Sequence, residues 1–407
     1  MARRALLADR RFAPLFWCQA AAAFNDNFLK SALAVLLLYT HGPGAAPLVA
    51  AAGGVFIAPY LLLSGIAGEI ADRSDKARVA TVLKAIEIGA GLLAVAGFLA
   101  HSVPILFAAM LAFGLLAAFF SPVKYGLLPD LLATEELPLA NAMVDFATFL
   151  AILAGSALGA ALGASAPDVL SAIVVLAALV SFGAATLIPR PGAARPDLPI
   201  RANLIASTSG LIGTLRGMRE VWRAALVSAW FWFAGVIALT LLPIMVRDTL
   251  HRGPTMVTLG LSVFSIGIGA GSFLAAKLMR GTLSLRLASS GSLGVGVLSL
   301  ALGATAHLPL AATLILLFLL AGAGGLIAVP ALASVQGFAP RDGRARAVAG
   351  ANVLAAAAMV VASIGLTILF HLHATAPEIF GGFGLLTLIA LAAAAARPAR
   401  LSPASRR

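Results

Sequence analysis

Gly68-Glu69-Ile70-Ala71-Asp72-Arg73-Ser74-Asp75-Lys76-Ala77-Arg78 is a charged turn between two long apolar runs, at 47–71 and 79–100. Six of its eleven residues are charged, against 11% for the whole chain. A membrane-crossing helix needs about 20 mostly apolar residues, because each residue adds about 1.5 Å across a hydrocarbon core of about 30 Å. Each flanking run meets that length, so the stretch predicts two spanning helices joined by a short solvated loop.

The same alternation extends in both directions. Twelve apolar runs are marked at roughly 12–39, 47–71, 79–100, 103–121, 137–163 and 168–188, then 222–246, 256–279, 285–306, 309–333, 346–370 and 376–396. They are continuously apolar, which argues against a barrel with period-two alternation and leaves helices to satisfy the backbone in lipid. The chain of 407 residues is 61% hydrophobic, whereas soluble domains carry about 25% charged residues. That excludes a soluble enzyme and a nucleic-acid-binding domain, despite a net charge of +12. The single Cys18 excludes an internal disulfide framework, and the scattered histidines show no metal-ligand spacing. No G-x-x-x-x-G-K-[ST] loop occurs, so neither a nucleotide nor any other cofactor is expected.

The basic residues encode orientation. Of the 28 Lys and Arg, 24 fall on the connectors of one side when Lys124 is placed in the loop after run 4. Arg247 and Arg252 lie on the other side, and Lys30 and Lys84 lie within runs. Cytoplasmic loops are the ones enriched in Lys and Arg, so both termini are expected in the cytoplasm. The expected fold is an all-α integral membrane protein of 12 transmembrane helices in two six-helix halves. The halves are 1–188 and 222–407, with a polar cytoplasmic linker at 189–221. At an offset of 211, Gly126 meets Gly337, Pro129 meets Pro340 and Asn141 meets Asn352, the mark of a duplicated unit of the kind transporters use.

The opening turn resembles the G-x-x-A-D-R-x-G-[RK]-x-[RK] signature of the major facilitator superfamily, with Asp75 in place of the second glycine. That resemblance implies the major facilitator fold and alternating access. It also implies a conformational gating role for Gly68, Asp72, Arg73, Lys76 and Arg78. Two more segments are similar to the bacterial lysophospholipid transporter family: Phe24-Asn25-Asp26-Asn27-Phe28-Leu29-Lys30 in run 1, and Pro122-Val123-Lys124-Tyr125-Gly126-Leu127-Leu128-Pro129 after run 4. This second resemblance implies inward movement of lysophospholipids such as lysophosphatidylethanolamine across the bacterial inner membrane. A cytoplasmic acyltransferase or acyl-ligase would then rebuild the diacyl lipid. No His-x4-Asp pair is present, so such a partner is expected to be separate, and the transporter is expected to be a monomer among membrane lipids.

Charges inside spans cost about 2.5–3.5 kcal/mol each even on insertion scales, so they usually face the bundle interior and serve function. Spacing places Asp26 with Lys30 and Asn141 with Asp145 at i, i+4, and Lys84 with Glu87 at i, i+3, each pair on one helix face. The candidate substrate-binding residues are Asn25, Asp26, Asn27, Lys30, Glu87, Lys124, Tyr125, Asn141 and Asp145. Lysines would meet a phosphate and carboxylates an ammonium, with the acyl chain against the apolar second half. Each pair could equally serve to neutralise itself and lock helices together. Two other functions stay open: a proton-coupled exporter of drugs or small metabolites, and an intramembrane enzyme, for which no nucleophile–base constellation is visible.

Overall fold

The computed structural model describes residues 6–41, 46–162, 167–200, 203–252, 254–304 and 309–395. The first six helices are α1 (Ala13–His41), α2 (Ala46–Arg73), α3 (Lys76–Leu99), α4 (Val103–Leu131), α5 (Leu137–Leu162) and α6 (Pro167–Thr186). A shorter α7 (Leu204–Gly217) follows. The second set is α8 (Arg219–Ile244), α9 (Pro254–Met279), α10 (Arg286–Leu302), α11 (Leu310–Phe338), α12 (Arg344–His371) and α13 (Ala376–Ala395). Ten of these are long and apolar enough to cross a membrane, and α10 is a shorter apolar helix of 17 residues. The 29-residue α1 dilutes its apolar run with Asn25, Asp26, Asn27 and Lys30. The twelve expected runs each correspond to one helix, in two sets of six.

Helix pairing repeats between the sets. In the first, α1 packs on α5, α2 on α4, and α3 on both α4 and α6. In the second, α8 packs on α12, α9 on α11, and α10 on both α11 and α13. With little hydrophobic drive between helices in lipid, close backbone approach through small residues holds such pairs. Gly155 and Gly159 on α5 lie against the backbone of Phe24 and Phe28 on α1, where an added Cβ would collide. Gly271 and Gly325 bring α9 and α11 together in the same way. The halves meet through α2 against α12 and α5 against α9, again one repeat-related pair of contacts.

Two expectations about helix ends are corrected. Helix α4 continues to Leu131, ten residues beyond the marked run, and α11 continues to Phe338 rather than 333. Lys124 is therefore not a loop residue. Pro122 and Pro129 lie within α4 without ending it. Val123, Leu127 and Leu128 are buried there, so packing outweighs the lost backbone hydrogen bonds. Within the expected linker, the structure builds α7, whose buried positions Ser207, Leu211 and Leu215 recur every four residues and lie across α2 and α12. Residues 189–200 also fold back, since the Arg195 backbone N–H donates to the Asp72 carbonyl at 2.8 Å. Several counted basic residues, Arg3, Arg4, Arg201, Arg397, Arg400, Arg406 and Arg407, lie outside the described residues, as does the side chain of Arg247.

Candidate functional site: a polar interior above a closed basic face

At the face that carries the basic loops, α2 and α4 end where α3 and α12 begin. Gly68 lets α2 approach α12 closely, since a Cβ there would sit 2.8 Å from the Ala349 methyl. One turn on, the fully buried Asp72 carboxylate accepts from the backbone N–H groups of Ala345 at 3.0 Å and Arg346 at 3.1 Å. It also accepts from Arg346 Nε at 3.1 Å. A helix begins with unpaired N–H groups and a partial positive charge, so a carboxylate from the other half is well placed on the first turn of α12. Lys76, also fully buried, donates to Asp130 of α4 at 2.8 Å and lies 3.9 Å from Asp72. Arg344 reaches the other Asp130 oxygen at 3.2 Å and the Pro129 carbonyl at 3.0 Å. Two acids from one half are thus tied to the first turn of α12 from the other.

Asp75, which stands where the signature has its second glycine, caps α3 by accepting from the Arg78 backbone N–H at 2.9 Å. Its second oxygen accepts from the Gly192 N–H at 2.8 Å. The exposed Arg73 and Arg78 side chains lie outside the bridge between the halves.

A second, neutral layer lies deeper. Asn141 donates to Gln336 Oε1 at 2.7 Å, and Gln336 Nε2 donates back to Asn141 Oδ1 at 3.1 Å, with both residues fully buried. Asn352, the repeat mate of Asn141, donates to the Ser121 hydroxyl at 2.8 Å. Both asparagines matched by the 211-residue offset therefore reach into the opposite half. Asn141 does not pair with Asp145, because the amide of Gln336 satisfies both its donor and its acceptor.

Above this layer, the first half is polar inside. Lys84 and Glu87 close into a buried ion pair at 2.5 Å, with the ammonium 4.1 Å above the Phe120 ring. Lys124 donates to Gln19 Oε1 at 2.7 Å and lies 4.7 Å above the Tyr125 ring. The Gln19 amide in turn donates to the Thr148 hydroxyl. Asp145 keeps one buried carboxylate oxygen, Oδ2, without a hydrogen-bond partner. Asp26 and Lys30 are half-buried and share one helix face, yet they form no ion pair within 4 Å; the Lys30 ammonium lies 6.0 Å from the Phe56 ring instead. Asp26 is within electrostatic reach of Glu87, Lys84, Lys30 and Lys124, and Asp145 is within reach of Lys124.

Among the other expected residues, Asn25 is buried and donates to the Val174 carbonyl at 3.0 Å, which ties α1 to α6. Asn27 donates to the Ala23 carbonyl of its own helix at 2.8 Å. The motif in α1 thus splits by direction. Asn25 holds a neighbouring helix, whereas Asp26 and Lys30 face the interior. Sequence reasoning missed Gln19, Asp130, Gln336, Arg344 and Arg346, each of which meets a partner on a distant helix. For Asp130 and Gln336 the available signal was their place beside the repeat-matched Pro129 and Gly337.

The interior of the second half is aromatic. Trp230 stacks on Phe233 with centroids 5.7 Å apart and contacts Phe383 at 5.6 Å. Phe149 of α5 packs against this apolar core from the first half. No cluster of three or more metal-ligating side chains occurs among the described residues.

Comparison with known proteins agrees with this architecture. A family model described as the Major Facilitator Superfamily matches residues 15–363. The chain is 30% identical over 339 residues to the lysophospholipid transporter LplT of Cronobacter sakazakii, covering 81% of each chain. It is 29% identical over 343 residues to the protein of the same name from Pectobacterium carotovorum, covering 81% of this chain and 79% of that one. Among solved structures, the human organic anion transporter MFSD10 superposes with a TM-score of 0.76 at 16% identity, over 94% of this chain and 98% of that one. A bacterial homologue of the iron transporter ferroportin, in an outward-facing state, gives 0.71 at 17% identity, over 95% and 99%. These two likenesses bear on the fold alone. The chain belongs to the major facilitator superfamily and, within it, to the lysophospholipid transporter family.

Proposed function

We propose that this protein moves lysophospholipids across the bacterial inner membrane to the cytoplasmic side by alternating access between the halves 1–188 and 222–407. The observation that carries this reading is the unpaired Asp26 and Lys30, half-buried in mid-helix with the other faces of α1 covered by α5 and α6. A charge without a contacting partner in that setting is costly, and a ligand can supply that partner. A lysophospholipid supplies both signs in its head group and one acyl chain. Its head would lie against the first half and its chain against the aromatic second half. The basic face is cytoplasmic in this reading, which places both termini there. A separate acyltransferase or acyl-ligase would consume the delivered lipid, and the monomer is the working unit. Gly68, Asp72 and Lys76 hold the cytoplasmic face closed, while Arg73 and Arg78 act at its surface.

The test is transfer of labelled lysophosphatidylethanolamine into the inner leaflet of proteoliposomes, with and without a proton gradient. Transfer that needs this protein and is not displaced by unrelated drugs supports the reading. Gradient-dependent drug movement without lysolipid transfer would replace it with the exporter alternative. Chemical consumption of the lysolipid without transfer would point to an enzyme.

A further inference from the structure

We infer that the first half holds two head-group stations at different depths, an outer one at Asp26 and Lys30 and an inner one at Lys124 and Asp145, on either side of the closed Lys84–Glu87 pair. The inference rests on the lysophospholipid reading above and goes beyond it. A single site would use these charges together, whereas two stations use them in sequence.

Depth separates the two pairs. Helices α1, α3 and α5 start at the basic face, and α4 ends there. At a rise of 1.5 Å per residue, Lys124 lies about 10 Å from that end of α4, and Asp145 about 12 Å into α5. Lys84 and Glu87 lie about 12–17 Å into α3 by the same rise. Asp26 is about 20 Å into α1 and Lys30 about 26 Å. Cross-helix contacts keep this order, since Gln19, which meets Lys124 and Thr148, precedes Asp26 by two turns of α1.

Contact geometry separates them again. Opposite charges in contact attract far more strongly in a protein interior than in water, so neighbouring pairs are expected to close. Lys84 and Glu87 do so, at 2.5 Å. The other two pairs remain open. Gln19, itself tied to Thr148, holds the Lys124 ammonium at 2.7 Å, and Asp145 Oδ2 is buried with no partner. A neutral scaffold thus keeps cation and anion apart, which leaves a place for a group of both signs, phosphate to Lys124 and ammonium to Asp145. A zwitterionic head group fits both atoms, whereas a glycerol head group uses the lysine alone. The inner pair also sits one turn above the Asn141–Gln336 clasp. It is therefore the last station before the basic face opens.

The test uses full-length protein in proteoliposomes, with equilibrium binding and transfer measured on the same preparations and thermal unfolding as the control for folding. The probes are labelled lysophosphatidylethanolamine and lysophosphatidylglycerol. The outer variant, Asp26→Asn with Lys30→Gln, is expected to weaken binding at least tenfold. Asp145→Asn is expected to bind within threefold of the wild type but to transfer lysophosphatidylethanolamine at least tenfold more slowly. Its transfer of lysophosphatidylglycerol should fall less. Lys124→Gln should slow transfer of both lipids, and Lys124→Arg should restore part of it. Parallel loss of binding and transfer in the outer and inner variants would reduce the two stations to one, and normal transfer by Asp145→Asn would remove the inner one. In either case, a wild type that transports leaves the lysophospholipid reading standing. A wild type that neither binds nor moves either lipid overturns both.

Discussion

Helices α1 to α6 carry three lysines and three carboxylates in their interior, where α8 to α13 carry Trp230 stacked on Phe233, with Phe383 packed at a tilt against both. Both sets use the same helix pairings, with glycines at the closest crossings. Small residues at helix crossings set the packing of a duplicated unit, because backbone approach needs little else in lipid. Interior side chains are free to diverge once those crossings are kept. One half can then read charge while the other holds hydrocarbon. At the basic face the halves are complementary: the first supplies Asp72 and Asp130, and the second supplies the N-terminal turn of α12 with Arg344 and Arg346.

The largest effect that would test this contrast is at Lys84. Lys84→Met strands the buried Glu87, at a cost of about 3–5 kcal/mol. Thermal unfolding in detergent should show a strong loss of stability, largely recovered when Glu87→Leu is added. A single variant as stable as wild type would mean that the first-half charges are not confined as described. Next comes Asp72→Ala, which removes the acceptor of three N–H groups at the α12 start. The closed basic face should lose several kcal/mol, since hydrogen bonds to a charged group contribute about 1.5–3 kcal/mol each. Thiol labelling of Val144→Cys from that face, with Cys18→Ser as background, should become at least about tenfold faster, 1.4 kcal/mol being a factor of ten. Unchanged labelling would locate the lock elsewhere.

Asp26→Asn isolates charge from shape. Lysophosphatidylethanolamine transfer is expected to fall by about tenfold to a hundredfold, the worth of one charged hydrogen bond, at unchanged unfolding temperature. The smallest effect is expected from Trp230→Phe, which keeps the stacked ring and loses the indole N–H. Less than about a threefold change in transfer is the expectation for a surface that contributes apolar area and ring stacking. A loss as large as that of Asp26→Asn would give the second half a polar role and break the contrast.

The helices were legible because hydrophobic length is a local property: each of the twelve runs carries its own signal, and basic loops repeat on every second connector. The repeat at 211 residues located Asn141 and Asn352 as equivalent, and both cross between the halves. Helix ends were less legible. Charged Lys124 reads as a loop residue until Gln19, more than a hundred residues away, is seen to hold it inside α4. Spacing within one helix likewise overstated two pairs. Residues at i and i+4 share a face, but Asn141 is taken by Gln336, and Asp26 and Lys30 stay apart.

The sequence by itself determined the number of spans, the basic side, the duplication and the motif residues, because each depends on neighbours along the chain. Which charges are closed, which are open and which bind the halves together was decided only by tertiary structure. Those outcomes depend on partners such as Gln19, Asp130, Gln336 and Arg346, brought from distant helices. In a low-dielectric interior, the presence or absence of one such partner changes a buried charge from a structural lock into a place where a ligand can bind.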